Sequence, residues 1–262
     1  DLPLPGFIHV PGPHPYAVQS PLDPEAYGKW CLEETAKTIQ REGADTIAAM
    51  FVEPIQGAGG VIPPPPGYLA ELRDLLRKNN ILFVADEVIT AFGRLGHWFA
   101  SNLWNLDPDI ITLAKGITSG YLPLGATMVS DEISETIFSA GYFAHGYTYS
   151  AHPLAVAAAH ATLDELAPTG AAPNAGLIGQ AAALAPVLED AIHSLRGEPL
   201  VTDIRNLGLA AAIDVAPIAG KPALRAFQVF EQALNRGLML RFTGETLALA
   251  PPFISSEREV RD

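Results

Sequence analysis

Apolar and polar positions in the first part of the chain follow two periodicities in turn. After Asp23, which can cap a helix that Pro24 opens, apolar side chains recur at helical spacing, and Glu33 lies one turn before Lys37 as an expected ion pair. The continuous apolar run Thr46–Val52 then lacks any alternation. Such a run between turn residues is typical of a strand buried on both faces in a parallel sheet. The pattern therefore predicts a helix followed by a buried strand.

The same pair of patterns recurs up to about Pro153. It predicts a helix over Tyr68–Lys78, buried strands over Ile81–Ala85 and Ile110–Ala114, and a further strand over Leu124–Ser130. Strands that alternate with helices at this spacing indicate βαβ units joined by right-handed crossovers. We therefore predict the α/β fold class, with a mostly parallel sheet, for this part of the chain.

The pattern changes after Pro153, where a long alanine-rich helix begins. The remaining elements are predicted in this order: a helix over Pro153–Leu166, a loop over 168–176, a helix over Leu177–Leu195, an alternating segment over Thr202–Val215, a helix over Leu224–Arg236 and an alternating segment over Leu238–Ala250. This order indicates a smaller α+β domain. We therefore predict two domains, residues 1–166 and 167–262.

Composition narrows the classes of protein to which this chain can belong. Its 29 acidic side chains exceed its 16 basic ones, for a formal net charge of −13, which argues against binding to nucleic acid because phosphate contacts need clustered Lys and Arg. The single cysteine, Cys31, excludes an internal disulfide, and the seven histidines lack a metal-ligand spacing, so no metal site is expected. No apolar run reaches about 18 residues, so no transmembrane helix is expected.

The two ends of the sequence give further expectations. The start, DLPLPGFIHVPGPHP, has neither a basic region nor an apolar one, so it does not read as a signal peptide, and we expect a cytoplasmic protein with no membrane partner. The start is abrupt, and the last residues, SSEREVRD, read as the beginning of a helix. We therefore expect that both termini are cut.

Polar residues follow each of the predicted parallel strands. Glu53 comes after the first strand, Asp86 and Glu87 come after the second, and Lys115 comes after the third. Ligands of an open parallel sheet bind beyond the carboxyl ends of its strands, so a carboxylate and a lysine at adjacent ends would share one crevice. Partial desolvation lowers the pKa of a lysine and makes its amine nucleophilic. A nearby carboxylate has the opposite effect on this pKa, unless another cationic group binds that carboxylate. Pyridoxal phosphate meets both conditions, because its aldehyde takes the lysine as a Schiff base and its protonated ring nitrogen takes the aspartate.

Two long motifs around these residues resemble the signature of the class III, fold type I, pyridoxal-phosphate aminotransferases. They are FVADEVITAFGRLGHWF (Phe83–Phe99) and PDIITLAKGITSGYLPLGA (Pro108–Ala126). Shorter segments resemble the family in the same order, over Val52–Val61, His145–Ala155 and Leu240–Pro252. The resemblance implies a three-layer α/β/α PLP-transferase fold, present as a partial large domain with a smaller α+β C-terminal domain.

The resemblance also implies roles for residues around the cofactor. Lys115 would carry the Schiff base and later act as the base that moves the α-proton, while Asp86 would bind the pyridine nitrogen. Val88 would pack against one face of the ring, and Glu53 and Gln56 match a block near the floor of the active site. Lys115 and Asp86 would therefore be the catalytic pair.

The resemblance implies roles for two further residues, away from the strand ends. Thr148 matches a threonine that binds cofactor phosphate across the dimer interface, so the resemblance implies a homodimer with shared active sites. Arg241 matches an arginine that binds a substrate carboxylate, a task that suits its bidentate fork. Arg205 and Arg225 lie in the same predicted domain and are alternatives to Arg241, while Arg94 is assigned no catalytic role.

The implied reaction transfers an amino group from an amine or ω-amino acid to a keto acid such as pyruvate. A class III aminomutase or decarboxylase would share Lys115 and Asp86. A catalytically incompetent fragment is also open, because nothing in residues 1–52 resembles the family's N-terminal segment, whereas Ala91 and Leu95 are only mild departures. A doubly wound nucleotide-binding domain lacks support, since no GxGxxG or GxxxxGK[ST] motif occurs.

Overall fold

The computed structural model describes residues 4–14, 22–168 and 176–262. The loop predicted over 168–176 lies almost wholly outside the described residues. None of the helices that the described residues form is long and apolar enough to span a membrane. The division into domains at residue 166 stays a prediction.

Helices alternate with the strands of the first of two sheets. Its elements are α1 (Pro24–Glu42), a 3₁₀ turn (Ala44–Thr46), β1 (Ala49–Val52), α2 (Tyr68–Lys78), β2 (Leu82–Asp86), α3 (Ala100–Trp104), β3 (Ile110–Leu113), a second 3₁₀ turn (Lys115–Thr118), β4 (Ala126–Val129), α4 (Asp131–Ser139) and α5 (Pro153–Leu166). The strand order is β1-β2-β3-β4; β1, β2 and β3 are parallel, and β4 runs antiparallel to β3. The predicted α/β class with a mostly parallel sheet is confirmed.

Helix α1 begins as the sequence predicts, but its expected surface ion pair is wrong. The Asp23 carboxylate accepts a hydrogen bond from the N–H of Ala26 at 2.8 Å, which caps the helix. Lys37 pairs with Glu34 at 2.7 Å and not with Glu33. Residues three and four apart are both neighbours on a helix surface, so the spacing alone did not select the partner.

Strand β1 is shorter and more exposed than predicted. The predicted strand began at Thr46, but the Thr46 N–H donates to the carbonyl of Gly43 at 3.0 Å and closes a 3₁₀ turn there. The Phe51 side chain is 63% exposed, so burial on both faces is wrong for this strand. Strand β1 is the outermost strand of the described sheet, and the face that carries Phe51 stays largely open to solvent in the part of the chain that the structure describes.

A buried apolar cluster holds α1 and α2 against β2. It includes Cys31, Leu72, Leu76, Phe83 and Leu106, all almost inaccessible to solvent. Burial raises the pKa of the Cys31 thiol to about 11, so this cysteine is a core residue with little thiolate at neutral pH. Close packing of this kind fixes β2, and with it the position at which β2 ends.

A second sheet is formed by the C-terminal part of the chain. Its elements are α6 (Gly176–His193), β5 (Val201–Leu207), β6 (Ala210–Val215), α7 (Leu224–Asn235), β7 (Arg241–Thr243), β8 (Thr246–Leu249) and α8 (Glu257–Arg261). The strand order is β5-β6-β8-β7, and all neighbours are antiparallel. The described chain therefore combines a mixed sheet with a separate antiparallel one.

Arg94 connects the loop after β2 to the region of the second sheet. Its Nη1 donates to the carbonyl oxygens of Leu209 and Pro251 at 2.9 and 2.8 Å, and its guanidinium lies 4.6 Å from the centre of the Phe253 ring. Burial lowers the pKa of Arg94 to about 10. The residue to which no catalytic role was assigned thus joins two distant parts of the chain.

Candidate active site

Asp86 and Lys115 lie at the carboxyl ends of neighbouring parallel strands. Asp86 is the last residue of β2 and pairs in register with Thr112 of β3, while Lys115 comes just after β3. Asp86 is half-buried and Lys115 is exposed. The structure thus places the predicted carboxylate and lysine at the same edge of the sheet, where open parallel sheets bind their ligands.

The backbone at Lys115 adopts a conformation that is unusual for a residue with a side chain. Its φ of 43° lies in the left-handed region, which costs about 1–3 kcal/mol where the surrounding structure imposes it. The next residue, Gly116, lies so close to Phe92 that a Cβ at Gly116 would be 3.1 Å from the Phe92 Cβ. Close packing therefore sets the path of the turn from which the Lys115 amine extends.

Asp86 takes its place through contacts with the chain on either side of it. One carboxylate oxygen, Oδ1, accepts a hydrogen bond from the N–H of Val88 at 3.1 Å. The N–H of Glu87 donates to the carbonyl of Thr112 at 3.0 Å, which extends the contact with β3 by one residue. Within the described residues no hydrogen bond engages the other oxygen of Asp86. One carboxylate oxygen of Asp86 is therefore held by the main chain, and the other can accept a hydrogen bond from a ligand.

Glu87 is a fully buried carboxylate to which the sequence assigned no role. It accepts hydrogen bonds from the Thr90 hydroxyl, the Ala100 N–H, and both the N–H and the hydroxyl of Ser101, at 2.6 to 2.7 Å. Successive side chains of an extended chain point to opposite sides. Because Glu87 directly follows Asp86, its carboxylate is expected to point away from the side that carries Asp86, and this alternation is the sequence signal that could have indicated a buried acid. Glu87 ties the segment after β2 to the start of α3.

Residues 53–62, which we call the glycine loop, contain the predicted residues Glu53 and Gln56. The Glu53 carboxylate accepts from the N–H of Gly57 at 3.0 Å. The main chains of Gln56 and Ile62 exchange hydrogen bonds of 3.2 and 3.0 Å, which close the loop. Both predicted residues therefore shape this loop beside the end of β1.

Two of the predicted site residues lie away from the strand ends. Thr148 belongs to a turn inside residues 141–150, all of which are exposed. Arg241 is an exposed residue at the start of β7, where it pairs with Ala248. No hydrogen bond or ion pair among the described residues connects either side chain to Asp86 or Lys115, so their roles stay predictions.

The described residues also contain no group of three or more His, Cys, Asp or Glu side chains arranged to hold a metal ion.

Comparison with known protein families identifies the class of this chain. The family model described as aminotransferase class-III matches residues 2–262. The chain belongs to the class-III aminotransferase family. A putrescine–pyruvate aminotransferase of Pseudomonas aeruginosa is 37% identical over 268 residues, which cover 99% of this chain and 57% of that protein. A β-alanine–pyruvate aminotransferase of the same organism is 43% identical over 233 residues, covering 87% of this chain and 51% of that protein.

Solved structures show the same relationship in three dimensions. A thermostable (S)-enantioselective ω-transaminase from Thermomicrobium roseum matches with a TM-score of 0.88 and 40% identity, covering 99% of this chain and 58% of that one. The ω-transaminase from Pseudomonas jessenii in complex with PMP matches with a TM-score of 0.89 and 34% identity, again covering 99% of this chain and 58% of that one. The chain thus spans little more than half the length of the relatives that it matches.

Proposed function

We propose that this protein is a pyridoxal-phosphate-dependent aminotransferase that moves an amino group from an amine or ω-amino acid to a keto acid such as pyruvate. The observation that carries the proposal is the position of Asp86 and Lys115 at the ends of two adjacent parallel strands. Membership of the class-III family and the names of the relatives support the same reaction.

The side chains at the strand ends fit this cofactor. The ring nitrogen needs a carboxylate and the aldehyde needs an amine, and Asp86 and Lys115 supply them. Among the described residues the two side chains form no ion pair with each other, so a group that bridges them is compatible with the geometry. When bound, pyridoxal phosphate supplies a ring that accepts electrons from the substrate carbon.

Residues of this chain would then have separate roles in binding the cofactor and moving the proton. Asp86 would bind the ring nitrogen and keep it protonated, because a nearby negative charge favours the protonated form. Lys115 would hold the cofactor and move a proton at the substrate carbon that bears the amino group. Half-buried Val88, two residues beyond Asp86, would pack against the ring. Glu53 and Gln56 would shape the floor through the glycine loop.

The remaining predicted residues concern phosphate, substrate and partner. Thr148 would bind the phosphate in the active site of a second copy of the chain, which makes a homodimer part of the proposal. Its support is the exposed segment 141–150, where Tyr142 and Tyr149 are 89% and 80% exposed. Arg241 would bind the substrate carboxylate, as its exposed guanidinium can. The cytoplasmic location expected from the sequence stays a prediction, which cell fractionation would check.

The test is the formation of alanine from pyruvate in the presence of pyridoxal phosphate, with putrescine or β-alanine as amino donor. We expect Lys115→Ala to lower the rate of the intact protein by at least about a hundredfold, because a positioned general base contributes on this scale. Lys78→Ala, which removes an exposed lysine at the end of α2, is the matched control and should keep the parent rate. A Lys115→Ala variant that turned over at the parent rate would contradict the proposal.

The same assay separates the related activities. An aminomutase needs no keto-acid acceptor, and a decarboxylase releases carbon dioxide. Consumption of the amino donor that persists through repeated turnovers when pyruvate is omitted would therefore replace the transfer reaction by one of these, with Lys115 and Asp86 in the same positions.

A further inference from the structure

Arg205, on β5, joins the second sheet to the glycine loop. Its side chain is only 9% exposed. Its Nε donates to the carbonyl oxygens of Gly60 and Val61 at 3.0 and 3.1 Å, and its Nη2 donates to Gly60 at 2.8 Å. A charged donor that binds two successive carbonyls holds this stretch of main chain in place.

Side chains of the second sheet fix the guanidinium from the other side. Its Nη1 donates to Asp203 and Asp214 at 2.6 and 2.8 Å, and its Nη2 donates to Asp214 at 3.0 Å. The Thr246 hydroxyl donates to the same Asp214 at 2.6 Å. Because a bidentate carboxylate sets the plane of a guanidinium, Arg205 can leave the loop only by breaking these ion pairs as well.

The glycine loop in turn contacts the residues that follow β2. Gly57 packs so tightly against Ile89 that a Cβ at Gly57 would lie 2.3 Å from the Ile89 Cδ1. Ile89 follows Val88, whose N–H donates to Asp86 at 3.1 Å. A continuous path of contacts therefore runs from Arg205 through the loop to Asp86.

We propose that Arg205 is a positioning residue for the cofactor. It holds the glycine loop against Ile89 and thereby fixes Val88 and the Asp86 carboxylate where the ring is to bind. The inference rests on the proposed function, since it takes Asp86 as the partner of the ring nitrogen. This positioning role is different from binding a substrate carboxylate, because protein groups already take up the hydrogen-bond donors of the Arg205 guanidinium.

The test is Arg205→Lys, with Arg225→Lys as the matched control. Lysine keeps the charge but is a point donor without the planar fork, so it cannot hold the two loop carbonyls and Asp214 together. Arg225 also donates to a main-chain carbonyl, that of Ala216, but does so outside the glycine loop. The measurements are amide hydrogen exchange of the loop by mass spectrometry and the dissociation constant of pyridoxal phosphate for the intact protein.

We expect Arg205→Lys to speed exchange in the glycine loop about tenfold and to weaken pyridoxal phosphate binding about tenfold, on the scale of a lost charged hydrogen bond. Arg225→Lys should change neither quantity. If Arg205→Lys does not fold, Asp214→Asn replaces it, since it weakens the two-point contact that sets the plane of the Arg205 guanidinium and leaves the loop sequence unchanged.

Two results would overturn the inference: unchanged loop exchange, or faster exchange with unchanged cofactor affinity. A merely structural role would give the second result. Failure of the proposed function looks different, because the unsubstituted protein itself would then bind no pyridoxal phosphate, or would bind it equally well after Lys115→Ala.

Discussion

Two arginines connect the two sheets in opposite directions. Arg94 extends from the loop after β2 to the carbonyls of Leu209 and Pro251, and Arg205 extends from β5 to the carbonyl of Gly60 in the glycine loop. Each guanidinium is thus bound by main-chain oxygens that lie far away in the sequence. The two sites differ in what surrounds the charge.

Carboxylates balance the positive charge of Arg205, whereas Arg94 forms no ion pair with a described residue. Burial opposes the charge of Arg205, but Asp214 and Asp203 outweigh it and raise the pKa of Arg205 above its ordinary value. No carboxylate among the described residues forms an ion pair with Arg94; it stacks on Phe253, and burial lowers its pKa. Hydrogen bonds to carbonyls therefore orient both side chains, but only at Arg205 would truncation leave partly buried negative charges without their cation.

The largest expected effect separates the two arginines by stability. Arg205→Ala leaves Asp203 and Asp214, each 21% exposed, next to one another without their cation. Removal of one partner from a buried ion pair costs about 3–5 kcal/mol, so we expect a loss of this order in the free energy of unfolding, measured by urea denaturation. Adding Asp214→Asn should recover part of the loss. A loss below about 1 kcal/mol would mean that the charges are effectively solvated.

Arg94→Ala should cost less. It removes the donor to two carbonyls and the contact with Phe253, but leaves no unpaired charge, so we expect a loss of about 1–3 kcal/mol by the same denaturation measurement. If the loss equals or exceeds that of Arg205→Ala, the contrast between a balanced and an unbalanced charge does not hold.

The smallest expected effect is a dependence on pH at Asp214. Burial favours a higher pKa for this carboxyl, but hydrogen bonds from Arg205 and Thr246 outweigh burial and hold the pKa below its ordinary value of 3.8. A carboxyl with a lowered folded-state pKa contributes stability above its unfolded-state pKa, and this contribution is lost as the pH falls through the folded-state pKa. We expect Asp214→Asn to cost about 1 kcal/mol near neutral pH. This difference from the parent should shrink below about pH 4. A difference that stays constant down to about pH 3 would contradict a lowered pKa for Asp214.

Much of the fold was predictable because it depends on local patterns. The helices Tyr68–Lys78 and Pro153–Leu166 were predicted with the bounds that are observed, since apolar spacing and flanking Pro or Gly residues define them within the segment itself. The exposure of Phe51 was not predictable in this way. It depends on which elements cover the outer strand, and a run of apolar letters carries no information about that.

The same limit applies to the candidate site: residues that follow a local pattern could be predicted, and residues defined by distant contacts could not. Asp86 and Lys115 could be placed at strand ends because the apolar runs that precede them are visible in the sequence, whereas the pairing of those two strands is seen in the structure. Arg94 and Arg205 were not assigned positioning roles, because their partners are carbonyl oxygens 115 to 157 positions away. Every residue has such an oxygen, so no residue type marks the partner.

The most direct measurement of the central claim is to locate the cofactor on the chain. Reduction of the intact protein with borohydride after addition of pyridoxal phosphate makes the bond to a lysine permanent, and mass spectrometry of the peptides identifies that lysine. The account predicts a single labelled peptide, the one that contains Lys115, and no label there when excess amine donor is present before reduction. Label on Lys29, Lys37, Lys78 or Lys221 in preference to Lys115, or no label at all, would contradict it.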